Sequence, residues 1–206
     1  MNSAADRGHS GWSTQHSTAV HEAGHAVATW LQGRAFKFIT IVPSDDEGYS
    51  ALVRHKMPQW YRDHDFTYDQ LTAPRRNWLE SQVIITLAGE AAQRLYDTQH
   101  ESELPVDYEI GTSVACQHDR QIVNEMVMQL GDAPEAELSA YLGWLAARTD
   151  TLVGRWDFRL ACDALADAVQ VSGTLSWRKA KPIMMEAVYA QRDIDALLAR
   201  WVTSRK

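Results

Sequence analysis

Two histidines four residues apart, with a glutamate directly after the first, stand near the start of the chain: His21, Glu22, Ala23, Gly24, His25. On an α-helix, residues i and i+4 share one face, so both imidazoles can aim a ring nitrogen at a single ion. Glu22 projects about 100° further round, close enough to reach a water on that ion without being a ligand. Zinc lowers the pKa of such a water to about 7, and a neighbouring carboxylate can take its proton as attack begins. The pattern therefore predicts Zn2+ as cofactor, His21 and His25 as metal ligands and Glu22 as general base. The plain alternative is a helix that happens to carry two surface histidines. Two features weigh against it. Gly24 sits mid-helix, where it costs about 1 kcal/mol relative to alanine, which suits a place where another segment comes close. Val20, Val27, Trp30 and Leu31 share the helix, so the histidines are expected beside apolar surface.

The helix itself is expected over 18–32, from its 3.6-residue apolar spacing, with Ser17 as cap and Gly33 as stop. Residues 1–16, rich in Ser, Gly, His and Asp, read as a flexible tail. The stretch 35–42, with Phe36, Phe38 and a β-branched run, reads as a strand; 43–48 is a turn and 49–55 a second strand. Together they form a small β-ribbon beside the histidine helix. An irregular aromatic segment follows over 56–72, then a helix over about 74–96 with Thr72 as cap and Pro74 tolerated in its first turn. Further helices are expected over about 107–130, 134–153, 156–171, 176–188 and 192–203. Trp156 reads as a packing residue. The fold class is mainly α (α+β), with residues 17–206 forming one domain.

Bulk properties narrow the function. A chain of 206 residues, 45% hydrophobic and 23% charged, is large enough for one core. Its net charge of −7 and lack of a basic stripe argue against nucleic acid as a partner; Arg75-Arg76 and Arg178-Lys179 with Lys181 are too short to form one. Cys116 and Cys162 are far apart without CxxC spacing, which predicts buried thiols in a reducing compartment. The N-terminal stretch lacks an apolar signal region and no run approaches membrane-spanning length, so the expected location is cytoplasmic and no membrane partner is expected.

The run 18–52, "TAVHEAGHAVATWLQG…FITIVPSDDEGYSAL", resembles the start of the protease domain of the FtsH-type zinc metallopeptidases, the M41 peptidase family. That family has a His-Glu-Ala-Gly-His-Ala helix, a strand ending in Val/Ile-Pro and a Gly-containing edge strand. "IITLAGEAAQRLYD" (84–97) is similar to its Leu-Gly-Gly-Arg-Ala-Ala-Glu-Glu-Leu helix, and "VDYEIGTSVACQ" (106–117) to the segment whose aspartate is the third zinc ligand. The resemblance implies a helical zincin-like domain and Asp107 as the third ligand. Asp107 also suits a helix N-cap. Asp119 and His118 remain rivals, because "HDRQIVNEMV" resembles the same aspartate-led helix; Asp119 would lie mid-helix on the Ala115/Ile122/Met126 face, with less freedom to reach across. The chain departs from the family pattern at Gln93, where a carboxylate is usual, and at Glu90, where arginine is usual. It also contains no G-x-x-x-x-G-K-[ST] phosphate loop.

These readings imply a zinc metalloendopeptidase, ATP-independent by itself, whose substrate is an exposed or unfolded peptide segment. The edge strand at 48–53 is the candidate for substrate pairing, or else a plain core strand. A catalytically silent M41-like peptide-binding or regulatory module is the alternative from another class, and a metal-free helical interaction protein is a third. Sequence leaves the oligomeric state open, a homo-oligomer included.

Overall fold

In the computed structural model, which describes residues 7–46, 50–62, 71–100, 113–128 and 134–203 (side chains from 15 to 196 of these), the histidine-bearing helix α1 runs Arg7–Leu31. It begins within the stretch expected as a tail over 1–16: residues 7–16 are helical, and residues 1–6 lie outside the described residues. It corrects the Ser17 cap: Ser17 lies inside the helix, buried, with its hydroxyl donating to Asp97 Oδ1 at 2.8 Å. Tertiary contacts accompany the difference. His16 Nδ1 donates to Gln170 Oε1 at 2.6 Å, and its ring centroid lies 5.0 Å from that of Tyr96. His16, at the end of this polar stretch, is thus held by neighbours outside its own helix. The other end follows expectation. Gly33 takes φ 71°, Arg34 N–H donates to Thr29 O and Gly33 N–H to Trp30 O, a Schellman arrangement that closes the last turn.

The ribbon is present as β1 (Phe36–Thr40) and β2 (Leu52–His55), paired antiparallel, with Ile39 opposite Val53. The register slips between Phe36 and Phe38, which makes Lys37 an extra residue on β1. That bulge flips the two-residue alternation, so Phe36 and Ile39, three apart, are both buried. A third strand, β3 (Thr174–Ser176), lies on the far side of β1, giving the order β2-β1-β3. Sequence periodicity had no means to reveal it: three residues between two helices become a strand only by pairing with Phe38–Thr40. Among the described residues β2 is therefore an edge.

The remaining elements are α2 (Gln59–Arg62), α3 (Ala73–Gln99), α4 (Val114–Met128), α5 (Glu135–Val153), α6 (Trp156–Ser172) and α7 (Trp177–Thr203). The helices expected over 176–188 and 192–203 are one continuous helix, since nothing between them breaks a turn. Thr72 stands at the N-cap of α3 with Pro74 in the first turn, but its hydroxyl makes no capping bond. Trp156 corrects a further expectation: it is 41% exposed at the start of α6, with the Arg192 guanidinium 5.8 Å above its ring. Cys116 and Cys162 are buried free thiols, as expected. The protein is mainly helical with one small antiparallel sheet. Among the described residues no helix is long and apolar enough to cross a membrane.

Two apolar clusters meet at α3. One joins α1, β1, α3, α6 and α7 around Val27, Ile39, Ile85, Phe158, Leu165 and Met184. The other joins α3, α4 and α5 around Leu79, Val83, Val123, Met126 and Leu145. The face of α3 between them borders a cavity of about 460 Å³ walled by α1, β2, α3 and α4.

Candidate metal centre

Helices α1 and α3 approach closely because glycines face the contact. A Cβ on Gly24 would lie 2.6 Å from Ala88 O and 2.8 Å from Ala92 Cβ; one on Gly89 would lie 2.3 Å from Cε1 of His25. The expectation that Gly24 admits a neighbouring segment thus describes the α1–α3 seam, and Gly89 makes room for the imidazole itself.

Both imidazoles are buried, with their outer nitrogens engaged. His21 Nδ1–H donates to Gln93 Oε1 at 2.9 Å, and His25 Nδ1–H donates to Ile85 O at 2.9 Å. Gln93 Oε1 and Ile85 O only accept, so each Nδ1 donates, with the Cys116 sulfur also 3.9 Å from His21 Nδ1, and each Nε2 is turned to the centre. The two Nε2 atoms lie 3.1 Å apart. Asp119 Oδ2 completes a triangle with them, 3.0 Å from His21 Nε2 and 3.1 Å from His25 Nε2. Among the described residues, this buried oxygen has no partner apart from the two imidazoles. A tetrahedral zinc site with bonds of about 2.0–2.1 Å places its ligand atoms about 3.3–3.4 Å apart. A shift of a few tenths of an ångström would convert the observed triangle into three of that tetrahedron's corners. Two imidazoles and a carboxylate are also the donor set zinc takes.

The electrostatics agree. Burial opposes charge on both imidazoles, yet Asp119, assisted at His21 by Cys116 and Glu22, raises His21 well above its ordinary pKa and raises His25 as well. Burial likewise opposes ionisation of Asp119, but His25 and His21 hold its carboxyl far below the ordinary carboxylate range. The centre therefore draws positive charge to itself, as protons or as a cation. Glu22 lines the same cavity. Burial pushes its carboxyl up, while His25, His21 and a hydrogen bond from the Val53 backbone N–H pull it down.

Asp107, the third ligand implied by the resemblance, lies outside the described residues. Of its rivals, His118 is exposed at the cavity wall, and Asp119 is the carboxylate that meets the histidines. Asp119 does sit mid-helix on the Ala115/Ile122/Met126 face, and those residues line the cavity with it. It needs no long reach because α4 is drawn against α3. Arg120 Nε donates to Glu90 Oε2 at 2.8 Å, and Glu90, buried on α3, also faces Arg94 at 3.6 Å. Glu90, unusual for the resembled family, is thus the anchor of the arginine next to Asp119.

Two further features had no sequence signal. His55, at the end of β2, lines the cavity, and burial, with His25 and Arg34 nearby, pushes its pKa down to about 3, so the ring stays neutral. Behind His21, Gln93 Nε2 donates to Ser17 Oγ at 2.9 Å, and Ser17 donates to Asp97. Neither a family model nor a curated protein matches the chain.

Proposed function

We propose that the protein is a zinc-dependent endopeptidase acting on exposed or unfolded peptide segments, with His21, His25 and Asp119 as metal ligands and Glu22 as general base. The observation that carries this reading is the buried triangle of Nε2, Nε2 and Oδ2, two imidazole nitrogens and a carboxylate oxygen about 3 Å apart. Acceptors crowd together out of water only where positive charge joins them. An ion held by His21, His25 and Asp119 would supply Lewis acidity for a peptide carbonyl and for a water beside it.

The chain's own residues supply the rest. Glu22, held at the cavity wall by Val53 N–H, takes the proton of the attacking water and returns it to the leaving amine. Its raised pKa suits a group that must both accept and release a proton. Residues 50–53 of the β2 edge border the cavity, where an extended peptide can add as a strand. Leu52, Met57, Ile85, Ile122 and Met126 on the cavity wall suit an apolar side chain beside the scissile bond.

The test is cleavage of unfolded casein by the zinc-loaded full chain. Glu22→Gln is expected to keep zinc and lose about 10²–10⁴-fold in rate. Zinc-loaded protein that binds casein without cutting it would refute the peptidase and leave the peptide-binding module.

A further inference from the structure

His21 and His25 are oriented in different ways. His25 rests on one backbone carbonyl, Ile85 O. His21 rests on a side-chain amide, and an amide can turn over, presenting NH2 where it presented oxygen. If Gln93 turned, His21 Nδ1 would have to accept and its proton would move to Nε2, the atom that faces Asp119 and the ion. The Cys116 thiol donates weakly to the amide oxygen at 3.5 Å, and behind the amide nitrogen lies a chain of buried groups with one polarity. Gln93 Nε2 donates to Ser17 Oγ at 2.9 Å, and Ser17 Oγ donates to Asp97 Oδ1 at 2.8 Å. Ser17, Gln93 and Asp97 are 1%, 4% and 0% exposed.

We infer that Asp97 is a remote positioning residue for the metal ligand His21, acting through Ser17 and Gln93. The Ser17 hydroxyl proton is turned toward Asp97 Oδ1, which accepts it. The Ser17 oxygen then presents its lone pairs to Gln93, which meets them with NH2. The Gln93 oxygen is thereby left facing His21, which donates from Nδ1 and keeps Nε2 free for a metal. Each link follows from the one before, and the chain spans α1 and α3 twice. Because the chain ends at a carboxylate, it does the work that a carboxylate at position 93 would do directly. This inference rests on the metal centre proposed above.

Zinc affinity of the full chain, measured by competition with a chromophoric chelator, gives the first readout. Outer groups of this kind typically contribute 10–100-fold to metal affinity, so Asp97→Asn is expected to weaken zinc by roughly that factor. Ser17→Ala, which cuts the same chain in the middle, is expected to do the same and serves if Asp97→Asn fails to fold. The second readout is the pair of exchangeable Nδ1–H signals in the NMR spectrum of the cobalt-substituted protein. In the variants the His21 signal is expected to exchange faster, while the His25 signal, held by Ile85 O, stays unchanged. Affinities within about threefold of the unaltered chain, or equal loss of protection at both histidines, would overturn the inference in favour of general packing. Failure of the unaltered chain to bind zinc is a separate result: it removes the proposed function and, with it, any ligand for Asp97 to position.

Discussion

The two flanks of α1 face different solutions to burial. Toward α6 the contact beyond the His16–Gln170 hydrogen bond is apolar: Val20 and Val27 share a cluster with Phe158, Ala161, Leu165, Ala166 and Val169, and the Cys162 thiol donates to Val20 O at 3.6 Å. Toward α3 the same helix buries Ser17, His21 and His25, each with a polar partner on α3, and leaves room for them with Gly24 and Gly89. Burying apolar surface stabilises at about 25 cal/mol per Å², whereas buried polar groups at best roughly offset their lost hydration. Both flanks pack α1 through apolar residues, Ile85, Ala88, Ala91 and Ala92 on the α3 side among them, but only the α3 flank also buries a polar cluster. The candidate metal centre thus lies on only one side of the helix.

Substitutions that separate the flanks can break this comparison. The largest effect is expected from Phe158→Ala in the apolar cluster, which should lower unfolding free energy by about 3–5 kcal/mol in denaturant titration. Zinc affinity per folded molecule should stay within about threefold, since the site is untouched; a large affinity loss there would deny the division. Gly89→Ala should do the reverse. Its Cβ would occupy the place of the His25 ring, 2.4 Å from Nε2, so zinc affinity should fall by 100-fold or more, on the order of losing a ligand. Of similar size is the effect at the ligand pair itself. Asp119→Ala, which removes a ligand outright, should likewise reduce zinc affinity by about 100-fold or more, and Asp107→Ala should leave it nearly unchanged; the opposite result transfers the third ligand to Asp107. Gly24→Ala should cost about 1–3 kcal/mol of stability by forcing the seam apart, against the roughly 1 kcal/mol that alanine gains as a helix former.

The smallest effect belongs to the start of α6. The Arg155 guanidinium, 2.9 Å from Asp157 Oδ1 through its Nε, holds the Asp157 carboxyl below the ordinary carboxylate value. A depressed folded-state pKa gives stability that is present above the ordinary value and is lost as pH falls through the lowered one. Arg155→Ala should thus cost about 1 kcal/mol or less at neutral pH, with the difference disappearing in acid titration.

How much of this was legible beforehand depends on how local each cause is. The HExxH spacing and Gly24 could be read because helical periodicity alone puts His21 and His25 on one face. The stop at Gly33 follows equally from its own backbone. Asp119 was visible only as one of several acidic candidates, because what brings it to the histidines is the docking of α4 on α3 through Arg120 and Glu90, thirty residues apart in sequence. The Gln93–Ser17–Asp97 chain was invisible for the same reason: no periodicity links a serine inside one helix to an amide and a carboxylate inside another. β3 also exists only through a tertiary partner. Gln93 and Glu90 did stand out as departures from the resembled family, and both turn out to be hydrogen-bonded to the elements that hold the ligands.

The central claim is that one cation sits among His21 Nε2, His25 Nε2 and Asp119 Oδ2. Anomalous diffraction at the zinc absorption edge, from crystals of the full chain grown with zinc, tests it most directly. The expected result is a single strong peak about 2.0–2.2 Å from all three atoms. No peak at that position, or one coordinated by the histidines with Asp119 turned away, would contradict the account.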